Sequence, residues 1–180
     1  MTRCFISLDL PEPVVEEIKK IQETLQKQNL FKGKLTEKEH LHLTLKFLGE
    51  IDEEAVEKVK ERLKEIKIKK FDAAINKIGI FSPQHIRIIW LQLEGADELQ
   101  KEIDDALQEL FPKEHRFMGH ITIARVRNIE DKKKLITFLE NYDLENLKKQ
   151  KIPVHEFFLK KSVLTPQGPS YSDLGVFLLG

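Results

Sequence analysis

His42-Leu43-Thr44-Leu45 and His120-Ile121-Thr122-Ile123 are two copies of one pattern, His-x-Thr closed by an apolar residue, set 78 residues apart. With six His and seven Thr in 180 residues, chance supplies about 0.2 such His-x-Thr pairs. The same offset lays Ile51 on Ile129 and Asp52-Glu53 on Glu130-Asp131, so a duplication is predicted. Both copies alternate polar and apolar residues, the period of a half-buried strand. His42 and Thr44 then share one face, as do His120 and Thr122. Leu41, Leu43 and Leu45, with Ile121 and Ile123, serve the core. Strict alternation sends Phe47 and Arg125 to the face opposite the histidines, unless a strand end or a bulge re-aims them.

Working outward, strands are predicted at Arg3 to Leu10, His40 to Leu48, Phe71 to Phe81, His85 to Leu93, Gly119 to Val126, Lys151 to Val163 and Tyr171 to Leu179. Helices are predicted from Pro11 to about Lys27, Asp52 to about Lys67, Ala96 to Leu110 and Asp131 to Tyr142. Their inward stripes are Val14, Ile18, Ile21 and Leu25, then Val56, Val59, Leu63 and Ile66, then Leu99, Ile103, Leu107 and Leu110. Pro11 and Pro13 suit the first turn of a helix, and Asp52 suits an N-cap. Gly33 reads as loop, and Pro166-Gln167-Gly168-Pro169 as a turn. A β-α-β-α-β order thus occurs twice, over about 1–81 and 85–163, with a strand appended at 171–179. The fold class expected is α+β: duplicated units forming a bilobal domain whose antiparallel sheets face a central cleft. No Pro-, Gly- or Ser-rich linker parts the halves, so residues 1–180 read as a single bilobal domain.

Composition narrows the class. Leu, Ile, Val and Phe are spread along the chain, which excludes a disordered or low-complexity polypeptide. Apolar runs fall short of the roughly 18 residues of a membrane span, and the N-terminal stretch lacks the apolar core and cleavage site of a secretory leader. A cytoplasmic protein that binds no membrane is expected. The 30 basic and 30 acidic residues cancel, so net charge argues neither for nor against nucleic acid. The Lys- and Glu-rich, Cys- and Met-poor composition leans towards a thermophile. Cys4 is the only cysteine, which excludes an internal disulfide and a cysteine-rich zinc site.

Two imidazoles and two hydroxyls turned towards one cleft have a natural chemistry. A neutral imidazole takes a proton from a nucleophile, and a protonated one gives a proton to a leaving oxygen. Thr hydroxyls donate to the non-bridging oxygens of a phosphate held between them. The set fits metal-free transfer at a phosphodiester.

His42-Leu-Thr-Leu-Lys-Phe-Leu-Gly49 and Arg116-Phe-Met-Gly-His-Ile-Thr-Ile-Ala-Arg125 resemble the two signatures of the two-histidine (2H) phosphoesterases. Within them the chain is similar to the RNA 2′,3′-cyclic phosphodiesterase branch, historically called 2′-5′ RNA ligase. The resemblance extends to the opening Arg3-to-Pro11 stretch, to Gly79-Ile-Phe-Ser-Pro83 before Ile89-Trp-Leu91, and to Ser162-to-Tyr171. It implies the duplicated bilobal fold, catalysis by His42 and His120, phosphate binding by Thr44 and Thr122, and substrate contact by Arg125. It implies hydrolysis of RNA or nucleotide 2′,3′-cyclic phosphates to 2′-phosphates without a cofactor, and the reverse reaction joining RNA ends through a 2′-5′ linkage. A monomer is expected. Gly119 departs from relatives that often carry Pro before the second histidine, which points to a change in loop stiffness.

Other readings stay open at this stage. A cleft that binds a nucleotide or RNA end without turnover would use the same residues, and so would cleavage of 2′-5′ phosphodiesters. Phe47 either stacks on a base or packs in the core. Tyr171 either lines the cleft or is a core tyrosine with a satisfied hydroxyl. His40-x-His42 is a two-imidazole pair with no acidic cluster to complete a metal site. His85, His115 and His155 read as surface residues. Arg116, Arg127, Lys160 and Lys161 either form a basic rim for RNA or are ordinary solvated charges. The two motifs are near mirror images, so the sequence does not say which histidine is base and which is acid.

Overall fold

The computed structural model describes residues 1–166 and 168–180. In chain order the elements are β1 (Thr2–Asp9), α1 (Glu12–Gln28), β2 (Phe31–Leu35), a single 3-10 turn (Lys38–His40), β3 (His42–Ile51), α2 (Glu53–Lys64), β4 (Phe71–Ile80), β5 (Ile88–Glu94), α3 (Asp97–Leu107), β6 (His120–Ile129), α4 (Lys132–Glu140), α5 (Glu145–Lys148), β7 (Lys151–Val154), β8 (Glu156–Thr165) and β9 (Gly168–Leu178). Helix starts obey the sequence. Pro11 and Pro13 open α1, and Asp52 and Asp131 cap α2 and α4 by accepting from the Ala55 and Lys134 amides.

The strands run in the order β7-β4-β5-β6-β3-β1-β8-β9, all antiparallel. That order is palindromic about the β6/β3 junction. β5 corresponds to β1, β4 to β8 and β7 to β9, so a pseudo-two-fold axis passes between the two motif strands. β4, from the first half of the chain, lies in the array of β5 and β6. β8, from the second half, lies in the array of β1 and β3. The helices are exchanged in the same way, α1 packing on β6 and α3 on β3.

β3 and β6 meet at a single register pair, Leu43 with Ile121. Beyond it β6 turns away and pairs instead with β2, from Leu35 opposite Ala124 to Phe31 opposite Ile129. The gap opened by this divergence becomes the cleft. Leu43 and Ile121 are both fully buried. Leu43→Ala should lower unfolding free energy by about 2–5 kcal/mol, read as a fall in the urea midpoint at unchanged slope.

Four expectations are corrected. Gly33 is not loop. It lies in β2, where a Cβ would stand 2.1 Å from the Arg125 carbonyl oxygen, so glycine here marks close backbone approach rather than a turn. The stretch Lys151 to Val163 is two strands broken at His155, because β7 pairs with β4 in one array and β8 with β1 in the other. Leu110 is exposed, since α3 ends at Leu107. His40 belongs to the 3-10 turn, ahead of β3. The turn expected at 166–169 includes Gln167, which lies outside the described residues.

Candidate active site

β3 and β6 are the same strand twice. Each has ten residues, and their burial sequences match until the last position. His42 and Thr44 are half-buried on one face, and His120 and Thr122 likewise. In the antiparallel register set by Leu43 and Ile121, His42 lies across from Thr122 and Thr44 across from His120. Each histidine therefore shares the cleft with the hydroxyl of its own motif and that of the other.

Alternation then fails at the same place in both strands. Ile6 pairs with Lys46 and Ser7 with Thr44, leaving Leu45 without a partner on β1. Ile89 pairs with Ala124 and Trp90 with Thr122, leaving Ile123 unpartnered on β5. One extra residue in a strand is a β-bulge, and it reverses the faces of the residues beyond it. Lys46 and Ala124 are turned inward, while Phe47 and Arg125 are turned into the cleft. Phe47, 77% exposed, is a cleft residue and not a core one.

The cleft holds about 570 Å³ and is lined by His42, Thr44, Phe47, His120, Thr122 and Arg125 together with Tyr171. Arg3, Phe5, Lys34, Thr36 and His40 also line it, and sequence reading did not single these out as cleft residues. Phe5 pairs with Phe47 and shares its face, a register that the sequence does not announce. Lys34 and Thr36 were hidden by reading this segment as loop.

The two imidazoles are held alike and surrounded differently. His120 Nδ1 lies 2.8 Å from the Met118 carbonyl. A carbonyl only accepts, so Nδ1 carries the hydrogen and Nε2 is left to exchange a proton. His42 also bonds to the main chain two residues earlier, at His40, and its Nε2 lies 3.1 Å from Thr44 Oγ1. Phe5 stacks on the His42 ring at 5.1 Å, and Tyr171 meets its edge at 5.5 Å. His120 has Phe81 against it at 5.0 Å, perpendicular, and that ring is itself more than half exposed. Burial pushes the His42 pKa down to about 4. The hydrogen bond to His40 opposes the shift, and the charges of Lys160, His40 and Arg125 add to it. Burial also pushes the Tyr171 hydroxyl up.

Lys160 is not a free rim charge. It is held between Asp9 at 3.0 Å and Asp173 at 2.9 Å. Arg116 and Arg127 are exposed, outside the cleft lining, and His85, His115 and His155 are surface residues. Gly119 leads into β6 where a Cβ would stand 2.3 Å from the Leu93 carbonyl oxygen. Its own carbonyl accepts from the Leu93 amide. Among the described residues no group of three or more His, Cys, Asp or Glu side chains is placed to hold a metal, and no helix is long and apolar enough to cross a membrane.

The family model of LigT-like phosphoesterases matches this chain twice, over residues 8–90 and 92–171. An RNA 2′,3′-cyclic phosphodiesterase of Methanocaldococcus jannaschii is 40% identical over 94% of this chain and 96% of its own. One from Thermotoga maritima is 34% identical over 96% of this chain and 92% of its own. Among solved structures, Escherichia coli LigT superposes with a TM-score of 0.76 at 22% identity, covering 99% of this chain and 97% of that one. The same enzyme complexed with 3′-AMP gives 0.75 at 22% identity, over 99% and 98%. The doubled motif, the junction that places it and these likenesses agree, and the chain belongs to the LigT-like phosphoesterase family.

Proposed function

We propose that this protein hydrolyses RNA or nucleotide 2′,3′-cyclic phosphates to 2′-phosphates, with His42 as general base and His120 as general acid. The observation that carries the reading is the crossed arrangement of His42 and Thr122 with Thr44 and His120 about one buried residue pair. A five-membered cyclic phosphate set on that axis meets a proton acceptor on one side and a proton donor on the other. The two Thr hydroxyls and the Arg125 guanidinium hold its non-bridging oxygens.

His42, kept neutral by its burial, takes a proton from water as the water oxygen attacks phosphorus. The P–O3′ bond breaks and O3′ receives the proton from His120 Nε2, while Nδ1 stays bonded to Met118. The product is a 2′-phosphomonoester with a free 3′ hydroxyl. The histidines end with their protonation exchanged and reset through solvent. If a ribose 5′ hydroxyl attacks in place of water, the same steps form a 2′-5′ linkage, so ligation and hydrolysis share one site.

Because each half lends a strand and a helix to the other, residues 1–180 act as one bilobal unit. One chain supplies the whole cleft, so the protein works as a monomer. Incubation with a 2′,3′-cyclic nucleotide in excess EDTA should give unchanged turnover and only the 2′-phosphate isomer. Loss of activity restored by zinc or manganese would instead assign His40 and His42 to a metal. A 3′-phosphate product would reverse the leaving oxygen. Tight binding with no turnover would make the cleft a binding module.

A further inference from the structure

Besides Ser7, the buried polar residues among those described are Gln22, Lys46, Gln100 and Asp104. None of the four lines the cleft. They form two groups related by the pseudo-two-fold axis. In one, Gln22 of α1 donates from Nε2 to the carbonyls of Thr36 and Ile123, each at 2.8 Å. Thr36 lies on the approach to His42, and Ile123 is the bulged residue of β6. In the other, Asp104 of α3 accepts from Lys46 Nζ at 2.5 Å, from the Glu114 amide at 2.8 Å and from Gln100 Nε2 at 2.8 Å. Lys46 Nζ also donates to the Pro112 carbonyl at 2.7 Å. Lys46 directly follows Leu45, the bulged residue of β3, and Pro112 to Glu114 begin the approach to His120.

We propose that Lys46, Asp104 and Gln22 are positioning residues forming two reciprocal clamps, each tying the loop that delivers one motif histidine to the bulge that aims Phe47 or Arg125 from the other motif strand. The proposal rests on reading the cleft as a catalytic centre. A stabilising role alone does not call for this chemistry. A buried ion pair gains little over apolar side chains of similar size, whereas only polar groups can grip the Pro112 carbonyl and the Glu114 amide of a loop. The neutral clamp shows the same economy, since the two amide hydrogens of Gln22 reach two carbonyls, one on the approach to His42 and one in the second motif. Fixing both histidines relative to one phosphate matters because small misplacement of a reacting group costs rate steeply.

The test separates fold from position. The double variant Lys46→Met, Asp104→Leu removes the ion pair in favour of apolar packing and cuts both loop ties. Its melting temperature should stay within about 5 °C of wild type, while kcat on a 2′,3′-cyclic nucleotide falls about tenfold or more and KM changes less. The ring ¹⁵N resonances of His120 should shift or broaden. Asp104→Leu alone, leaving Lys46 buried without its partner, should be less stable than the double variant. Gln22→Met removes the side-chain part of the other clamp without touching a charge and leaves the Thr36 amide bonded to the Ile123 carbonyl at 2.9 Å, so the His42 ring resonances should respond in the same way but less. That variant keeps the proposal open to refutation if the double variant does not fold. Wild-type kcat with unmoved histidine resonances in stable variants would overturn the proposal. If the wild type itself turns over no cyclic phosphate, the functional reading fails, and the ring resonances still decide the clamps.

Discussion

His42→Ala and His120→Ala should each lower kcat on a 2′,3′-cyclic nucleotide by about 100-fold or more while leaving the fold intact. Each truncation removes one end of the proton transfer. Neither touches the inward face of its strand, where Leu43, Leu45, Ile121 and Ile123 carry the packing. The two losses should differ in kind. With an aryl phosphodiester, whose phenolate leaves without a proton, His120→Ala should recover much of its deficit and His42→Ala should not. The double variant should be little worse than the poorer single one, because the two groups act as a unit. Near wild-type turnover in either single variant would sink the two-histidine mechanism. Equal losses of both variants on both substrates would sink the assignment of base and acid.

The repeat itself was legible because the strand period is short and the markers are rare. His-x-Thr twice at one offset fixes two strands, their polar faces and their equivalence. The course of each strand beyond its motif was not legible. Leu45 and Lys46 are both buried, and nothing in Leu-Lys-Phe announces that the strand slips a residue there. Only pairing with β1 and β5 shows that Phe47 and Arg125 are turned to the histidines' side. The exchange of β4 and β8 was equally hidden, since each closes its own half in sequence and crosses to the other array in space. Gly33 misled for a definite reason: glycine marks both turns and close backbone approach, and the approach of β2 to β6 is tertiary.

The difference on which the proposed base and acid roles rest lies further still from the motifs. The near-identical stretches around His42 and His120 give both rings a main-chain hydrogen bond two residues back. The difference comes from elsewhere in the chain. Phe5 reaches His42 from β1, and Tyr171 reaches it from β9, paired beyond β8. Among the described residues, the aromatic ring against His120 is Phe81, which is more than half exposed. Duplication supplied two equivalent imidazoles, and residues outside the motifs surround them with different aromatic rings.

That inequality predicts the acid limb of the rate profile. A histidine with an ordinary pKa of about 6.5 would lose its basic form as pH falls through that value. His42, pushed down to about 4, stays neutral throughout this range and loses its role only as pH falls through about 4. The acid limb of kcat/KM, which reports the free enzyme, should therefore lie near 4. A bound phosphate anion favours the protonated ring, so the corresponding limb of kcat should lie higher. Tyr171→Ala opens one side of the ring to water, relieves the burial that causes the shift and should move the limb of kcat/KM upward. If the full ordinary pKa were restored, the neutral fraction at pH 5 would fall from about 90% to about 3%, a loss of about 30-fold. At pH 8 the same variant should show only whatever binding the phenol contributes. The measurement is kcat/KM against pH from 3.5 to 8 for both proteins. A wild-type limb near 6.5, or a limb that Tyr171→Ala leaves in place, would mean that burial of His42 does not set the base, and His120 would become the candidate for that role.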